Sequence, residues 1–326
     1  CTEKIACMPH SDATQIKRIK PVKRNVNGVL LLNKPFGITS NRALQIAKRL
    51  FSAAKSGHTG TLDPMATGLL PICFGEATKF SSALLNADKT YKATLKLGYI
   101  STTGDAEGEI TQVKVVNSSE NLLTIDKLEQ VLKSFLGKTM QLPPMYSALK
   151  HQGKPLYSYA RKGVDIKRKP RDVIIHDLQI ESFIGEELSI VVRCGTGTYI
   201  RTLAEDIGKA LGCGGAYLTT LCRSSIGNFN LTKAQDIALL EDMQMAERDC
   251  NLYPVDSLLN DYPTIDLDSM TASFLLQGRA IFNYPAAIEY PEGEIIRLYN
   301  HEKRFLGIGE VIAEGKIIPK RLMATN

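Results

Sequence analysis

Apolar positions along the chain form short unbroken runs in some places and regular alternations in others. Gly28 to Leu32 (GVLLL) and Leu69 to Phe74 are unbroken runs, the pattern of short strands, and the second reads as a buried one. Thr90 to Leu97 alternates: Tyr91, Ala93, Leu95 and Leu97 face one way, and Lys92, Thr94 and Lys96 the other. Asp172 to Phe183 and Glu187 to Cys194 alternate as a hairpin would, and Glu109 to Val116 and Ala216 to Ile226 read as further strands. Helical spacing predicts a helix from about Asn41 to Phe51, capped by Thr39 or Ser40, with Leu44, Ala47 and Phe51 inward. A second is expected from Glu76 onward (EATKFSSALL) and a third over Thr124 to Leu136. In a fourth, Ile200, Leu203, Ala204, Ile207 and Leu211 make one apolar stripe. Residues 235 to 256 read as a connector to a smaller unit, where a helix (MTASFLLQGRAI) precedes several short strands (IIRLYN, RFLGIGEV, IIPKRLM).

At 326 residues the chain is long enough for two domains. Its 44% hydrophobic and 23% charged content suits a globular protein, and no apolar run approaches the roughly 20 residues of a membrane span. Residues 1–27 hold six Lys/Arg against two acids and no apolar core of a signal peptide, which predicts a basic arm, either a solvated tail or one that touches RNA. The chain opens on Cys1 rather than Met, as expected if a segment precedes it. The seven cysteines are odd in number and form no CxxC pair, which argues against a disulfide framework or zinc ribbon and for a reducing cytoplasm. A formal charge of +6 hints at an anionic partner, with ordinary surface solubility as the competing reading.

The densest chemistry lies in Gly57 to Lys79, GHTGTLDPMATGLLPICFGEATK. Glycines and Pro64 shape a loop that presents Asp63, a position equally open to an ordinary Asp-Pro turn. His58 beside glycines reads as a hydrogen-bonded structural group, and with no second His or Cys at ligand spacing no metal is expected. By alternation alone Tyr91 is a core aromatic. Residues 150 to 171 carry eight Lys/Arg and one acid with Tyr157 and Tyr159 between them: either a solvated loop or a nucleic-acid footprint, in which Lys150, Lys154, Arg161 and Lys162, with Lys34 from the first turn, meet phosphates. Arg201 lies just off the apolar stripe of its helix, open to pairing with Glu205 or to reaching Asp63 and holding it ionised. Neither a P-loop nor a dinucleotide-type GxGxxG occurs.

The whole stretch resembles the signature of the TruB family of tRNA pseudouridine synthases, GHTGxLDPxATGxLPxxxGxATK, at every fixed position. The opening LLLNKPFGITSN is similar to the family's DKPxGxTS, with Asn33 for the more frequent Asp, and Gly197 to Leu203 match GTYIRxL. PPMYSALK and the basic segment after it resemble the insertion that folds over the tRNA arm in bacterial members, about residues 144–171, and the C-terminal unit resembles a PUA-type RNA-binding module.

The resemblance, spanning about residues 28 to 325, implies an α+β fold: a mixed, mostly antiparallel central sheet with flanking helices over 28–250, plus a small β-rich PUA-like domain over 251–326. It implies isomerisation of the T-loop uridine, tRNA position 55, to pseudouridine, with no cofactor. Asp63 would be the nucleophile and Arg201 its orienting partner. Tyr91 would stack on the base, Tyr199 and Leu221 would line the pocket, and His58 would fill the gap left by the everted nucleotide. A stand-alone cytoplasmic monomer acting on the tRNA T-arm is expected. The alternatives are a non-catalytic tRNA-binding or tRNA-folding protein on the same scaffold and a guide-RNA-dependent, dyskerin-like synthase.

Overall fold

The computed structural model describes residues 22–116, 122–282 and 284–324. Most of the expected basic arm therefore lies outside the described residues. Its last part is attached to the body: Arg24 bridges to Ala53 and pairs with Asp249 at 2.5 Å.

Among the described residues one eleven-stranded sheet dominates. Along its main path the order is Gln235–Asp236, Gly28–Lys34, Thr67–Phe74, Ala216–Ile226, Lys89–Leu97, Glu187–Cys194, Arg171–Ile184 and Gly137–Gln141. Its neighbours run antiparallel except at two places, where Gly28–Lys34 meets Gln235–Asp236 and where Thr67–Phe74 meets Ala216–Ile226. The unbroken apolar runs have a simple cause. Leu30, Leu32, Leu70, Ile72 and Phe74 pack on one face with the helices Ser40–Leu50, Ile125–Lys133 and Ile200–Ala210, while Val29, Leu31, Leu69 and Cys73 pack on the other with Phe80, Val255 and Leu258. Both faces are covered, so the positions within these apolar runs have no solvent side for a polar residue. Each such buried Leu or Ile contributes about 1.5–3 kcal/mol.

Three expectations need correction. The strand over Glu109 to Val116 shrinks to Ile110–Gln112, exposed throughout and, among the described residues, paired only with Tyr99–Ser101. The helix from Glu76 breaks into a 3-10 turn, Gly75–Lys79, and a short helix, Ser82–Asn86. Thr78 and Ser81 hydroxyls donate to the Gly75 and Thr78 carbonyls, local bonds that compete with a continuous helix. The stretch 235–256 belongs to the main sheet: Gln235–Asp236 pairs with Leu32 and Asn33, and Leu252–Tyr253 with Leu30 and Val29. The 3-10 helix Val255–Leu259 also packs in the larger unit, which therefore runs past residue 250.

The C-terminal unit has its own core, with Ile265, Leu275, Ile296, Leu298 and Ile317 between the helix Ser269–Leu276 and the four-stranded sheet Thr264–Asp266, Ile295–Tyr299, Phe305–Ile312 and Lys316–Leu322. It docks through Phe305 edge-on to Phe80 at 5.5 Å and through Lys79 Nζ, which donates to the Leu322 carbonyl at 3.1 Å.

The parallel contact between Thr67–Phe74 and Ala216–Ile226 lasts two residue pairs, Cys222 with Thr67 and Arg223 with Gly68. Gly68 has φ +100°, and a Cβ there would lie 2.4 Å from the Arg223 carbonyl oxygen. Gly68→Ala is expected to lower stability by more than about 1 kcal/mol, read by urea unfolding; an unchanged midpoint would show that the seam yields freely.

Candidate active site

Asp63 sits on the loop between the strands Ser56–His58 and Thr67–Phe74, and the backbone around it is held at each step. Ser40 Oγ donates to the Leu62 carbonyl at 3.0 Å and accepts from the Leu62 N–H at 2.8 Å. The Asp63 carbonyl accepts from Ala66 N–H at 3.1 Å. The Pro64 carbonyl accepts from Gly37 N–H at 2.9 Å and from Lys34 Nζ at 3.3 Å. The Gly60 carbonyl accepts from Arg223 at 3.0 Å. The segment Lys34–Ser40 is thus the clamp of the Asp63 loop. Thr39, of the two candidate caps, accepts from Arg42 N–H at 3.1 Å and starts the helix Ser40–Leu50.

Lys34 is the one expected RNA contact that the structure removes. It is fully buried, and its ammonium donates to the Pro35, Ile38 and Pro64 carbonyls at 3.0, 2.6 and 3.3 Å, so no N–H is left for a phosphate. Burial lowers its pKa to about 8, against the pull of Asp63 and Glu107.

Arg201, on the first turn of its helix, is 6% exposed rather than a surface partner of Glu205, which takes Lys209 instead. Its Nε lies 3.1 Å from Asp63 Oδ2. Nη1 donates to the Thr103 carbonyl at 2.9 Å and Nη2 to the Tyr146 carbonyl at 2.6 Å. Nη1 also stands 3.8 Å from Asp105 Oδ2. Burial lifts the Asp63 carboxyl above its usual range; Arg201 pulls it back, Asp105 pushes it up and Lys34 pulls it down. Burial, not the guanidinium, is the largest influence, so Arg201 limits the rise rather than reversing it.

Asp63, with 37% of its side chain open, faces a cleft of about 690 Å³. His58, Tyr91, Tyr199, Arg201 and Leu221 line the same cleft, so the expected catalytic and pocket residues converge. Burial first, then Arg223, lower the His58 pKa and favour its neutral ring, whose Nδ1 is buried without a partner. Tyr199 is fixed through its backbone, whose N–H donates to Gln141 Oε1 at 3.0 Å.

Of the basic insertion, Arg161 reaches the rim, 5.5 Å over the ring of Tyr157, and both line the cleft. Lys150 and Lys154 sit in a small hairpin and Lys162 beyond the helix Leu156–Ala160; all three are exposed and outside the cleft lining. Three residues of the site escaped the sequence reading. Asp105 lies in the loop STTGDAEGEI, where its acid looks like ordinary turn chemistry. Ser40 reads in the sequence only as a helix cap. Arg223 shares a face with Ala216, Leu218, Leu221 and Ile226 only because register shifts at Thr219 and Ser224 break the alternation, so strict alternation does not reveal it.

The model of the TruB family pseudouridylate synthase N-terminal domain matches residues 48–200. That of the tRNA pseudouridylate synthase B C-terminal domain matches 201–260, and that of the pseudouridine synthase II TruB C-terminal domain 263–323. The chain is 60% identical over 302 residues to a tRNA pseudouridine synthase B of Nitrosospira multiformis, covering 92% of this chain and 96% of the relative. It is 55% identical over 296 residues to the one of Nitrosomonas europaea, covering 91% and 96%. A solved chain of a Cbf5-Nop10-Gar1 complex shares the fold at TM-score 0.67 and 23% identity, over 91% of this chain and 84% of that one. The chain belongs to the TruB family of pseudouridylate synthases.

A carboxyl is nucleophilic only when ionised, and Arg201 lowers the pKa of Asp63, so loss of the guanidinium raises it further. Arg201→Met is therefore expected to move the acidic limb of kcat/KM to higher pH as well as lower the rate. A slower enzyme with an unmoved limb would contradict the pairing.

Proposed function

We propose that the protein isomerises uridine to pseudouridine in tRNA, at the T-loop uridine of position 55, with Asp63 as the nucleophile and without a guide RNA. The observation that carries this is one carboxylate, oriented by a buried guanidinium and open to a cleft that His58, Tyr91, Tyr199 and Leu221 also line. Isomerisation breaks the glycosidic N–C bond, turns the uracil in place and forms a C–C bond. A carboxylate beside the sugar meets the positive charge that develops at C1′. Nothing in this sequence of steps calls for electron or phosphoryl transfer, so these side chains need no cofactor for it.

A base in folded RNA must first leave its stack, at a cost of about a few kcal/mol. Neutral His58 fills the gap, Tyr91 stacks on the everted base, and Tyr199 and Leu221 complete its pocket. Arg161, Lys150, Lys154 and Lys162 supply phosphate contacts that offset the cost of eversion. The insertion at 144–171 supports direct capture of the T-arm by a single chain. Among the described residues no helix is long and apolar enough to cross a membrane, and we place the enzyme with its tRNA in the cytoplasm as a monomer. The C-terminal unit serves as the PUA-like RNA-binding domain.

Asp63→Asn tests the assignment. The variant is expected to bind tRNA as tightly as the parent and to form no pseudouridine. It is also expected to melt no lower, because a carboxyl whose pKa is raised on folding loses stability as pH climbs past its unfolded value, and Asn removes that penalty at pH 7. Substantial residual turnover would refute the nucleophile. Deleting residues 152–168 is expected to raise KM for tRNA and to flatten its dependence on salt. On a double-logarithmic plot the slope should fall by roughly 0.7–0.9 for each phosphate no longer neutralised. An unchanged slope would show that the insertion does not grip phosphates.

A further inference from the structure

The turn that clamps the Asp63 loop ends in an aromatic ring with nothing to pack on. Phe36 is 69% exposed, although the backbone beneath it is tightly held. Lys34 Nζ donates to the Pro35 and Ile38 carbonyls, on either side of Phe36, at 3.0 and 2.6 Å. Pro35 fixes its own φ, and Gly37 N–H donates to the carbonyl of Pro64, which lines the cleft. Gly37 itself has φ +84°, and a Cβ there would meet nothing within 4 Å. The chain then runs straight into the cleft wall, which Thr39, Ser40 and Asn41 line. Phe36 is therefore a rigid, open ring beside the mouth of the site. Such a ring gives contact area at little cost in conformational entropy.

The helix that follows is unusual among those on its side of the sheet. Ser40–Leu50 buries Ser40, Ala43, Leu44 and Ala47, and it contains Arg42, Lys48 and Arg49 but no acid. Arg42, Gln45 and Arg49 are exposed and, at i, i+3 and i+7, form one outward stripe. The two arginines stand about 10 Å apart along the axis. No ion pair among the described residues includes Arg42, Lys48 or Arg49. The neighbouring helices pair theirs: Lys133 with Glu129 at 3.5 Å on Ile125–Lys133, and Lys209 with Glu205 at 2.5 Å on Ile200–Ala210. A basic stripe alone is usually a solvated face. Here it carries no balancing acid, and it starts beside a held aromatic at the lip of a cleft. Open cations next to an open ring are the pairing that grips single-stranded nucleic acid, phosphates on the one and a base on the other.

We propose that Phe36 and the Arg42–Arg49 stripe form an RNA track leading out of the cleft: the ring stacks on an unpaired base beside the everted nucleotide, and the two guanidiniums hold phosphates of the strand that leads away. This rests on the tRNA substrate of the reading above and adds a grip separate from the insertion and the C-terminal unit. A strand that enters the cleft must also leave it, and nucleotides drawn past the lip lose their stacking partners. The track gives one of them a new partner.

Equilibrium binding of an unmodified tRNA transcript over a range of salt concentrations tests this. Arg42→Gln combined with Arg49→Gln is expected to weaken binding and to lower the double-logarithmic salt slope by roughly 1.4–1.8, the value for two phosphates. Phe36→Ala is expected to weaken binding about five- to a hundredfold and to leave the slope alone. Phe36→Tyr is expected to bind as the parent does, whereas Phe36→Leu loses nearly as much as Phe36→Ala. With transcripts that lack the base at single positions beside the target, the Phe36→Ala loss is expected to vanish at one position. All four positions changed are exposed turn or helix sites, and the variants are expected to melt with the parent. An unchanged slope in the double arginine variant would overturn the track. So would a Phe36→Leu variant as good as the parent, or an equal Phe36→Ala loss with every transcript. These outcomes leave pseudouridine formation by the parent enzyme intact, whereas a parent that forms none fells the reading above and the track with it.

Discussion

The guanidinium of Arg201 is the contact on which the cleft depends. It meets Asp63 at 3.1 Å, stands 3.8 Å from Asp105, and donates to the carbonyls of Thr103 and Tyr146. Three loop or turn segments far apart in sequence thereby converge on the first turn of one helix. Taking charges out of water costs on the order of several kcal/mol per ion, and only pairing with further hydrogen bonds offsets it. Pulling any one of these segments away leaves a buried charge or carbonyl unmatched. The cleft is therefore held open in one shape, with the carboxylate aimed before any RNA arrives, which is the condition for positioning to help chemistry.

Aiming the carboxylate has an electrostatic consequence. Burial and Asp105 work against ionisation of Asp63, and Arg201 and Lys34 work for it. Lys34 serves twice, as a nearby charge and as the group that holds the Pro64 carbonyl. A basic residue in a surface-like turn motif reads naturally as a phosphate contact. Its real position follows from the turn folding back over the Asp63 loop, which only the three-dimensional path of the chain reveals.

Much of the fold was legible because its periodicities are clean. The helix stripe from Ile200 to Leu211, the alternation over Thr90 to Leu97 and the strand Ala216–Ile226 all occur where the pattern puts them. What failed had physical causes. The strand expected over Glu109 to Val116 keeps only the exposed segment Ile110–Gln112, and hydroxyls at Thr78 and Ser81 broke a helix that apolar spacing favoured. The pairing of residues 235–236 and 252–253 with the first strand involves two residues at each place, too few to leave a period. Asp63 and His58 were found through the long motif, Tyr199 and Arg201 through the GTYIRxL match, and Tyr91 and Leu221 through the strands on which the resemblance implies them; all six line one cleft. Local pattern could not show that Arg201 is buried or that Arg223 lies beneath the floor, because both facts depend on what packs over them.

The most direct measurement incubates the purified protein alone with an unmodified tRNA transcript, in EDTA and without guide RNA, and maps pseudouridine along the product. The account predicts one new pseudouridine, in the T-loop. No pseudouridine, a product elsewhere in the tRNA, or a requirement for an added guide or metal would contradict it.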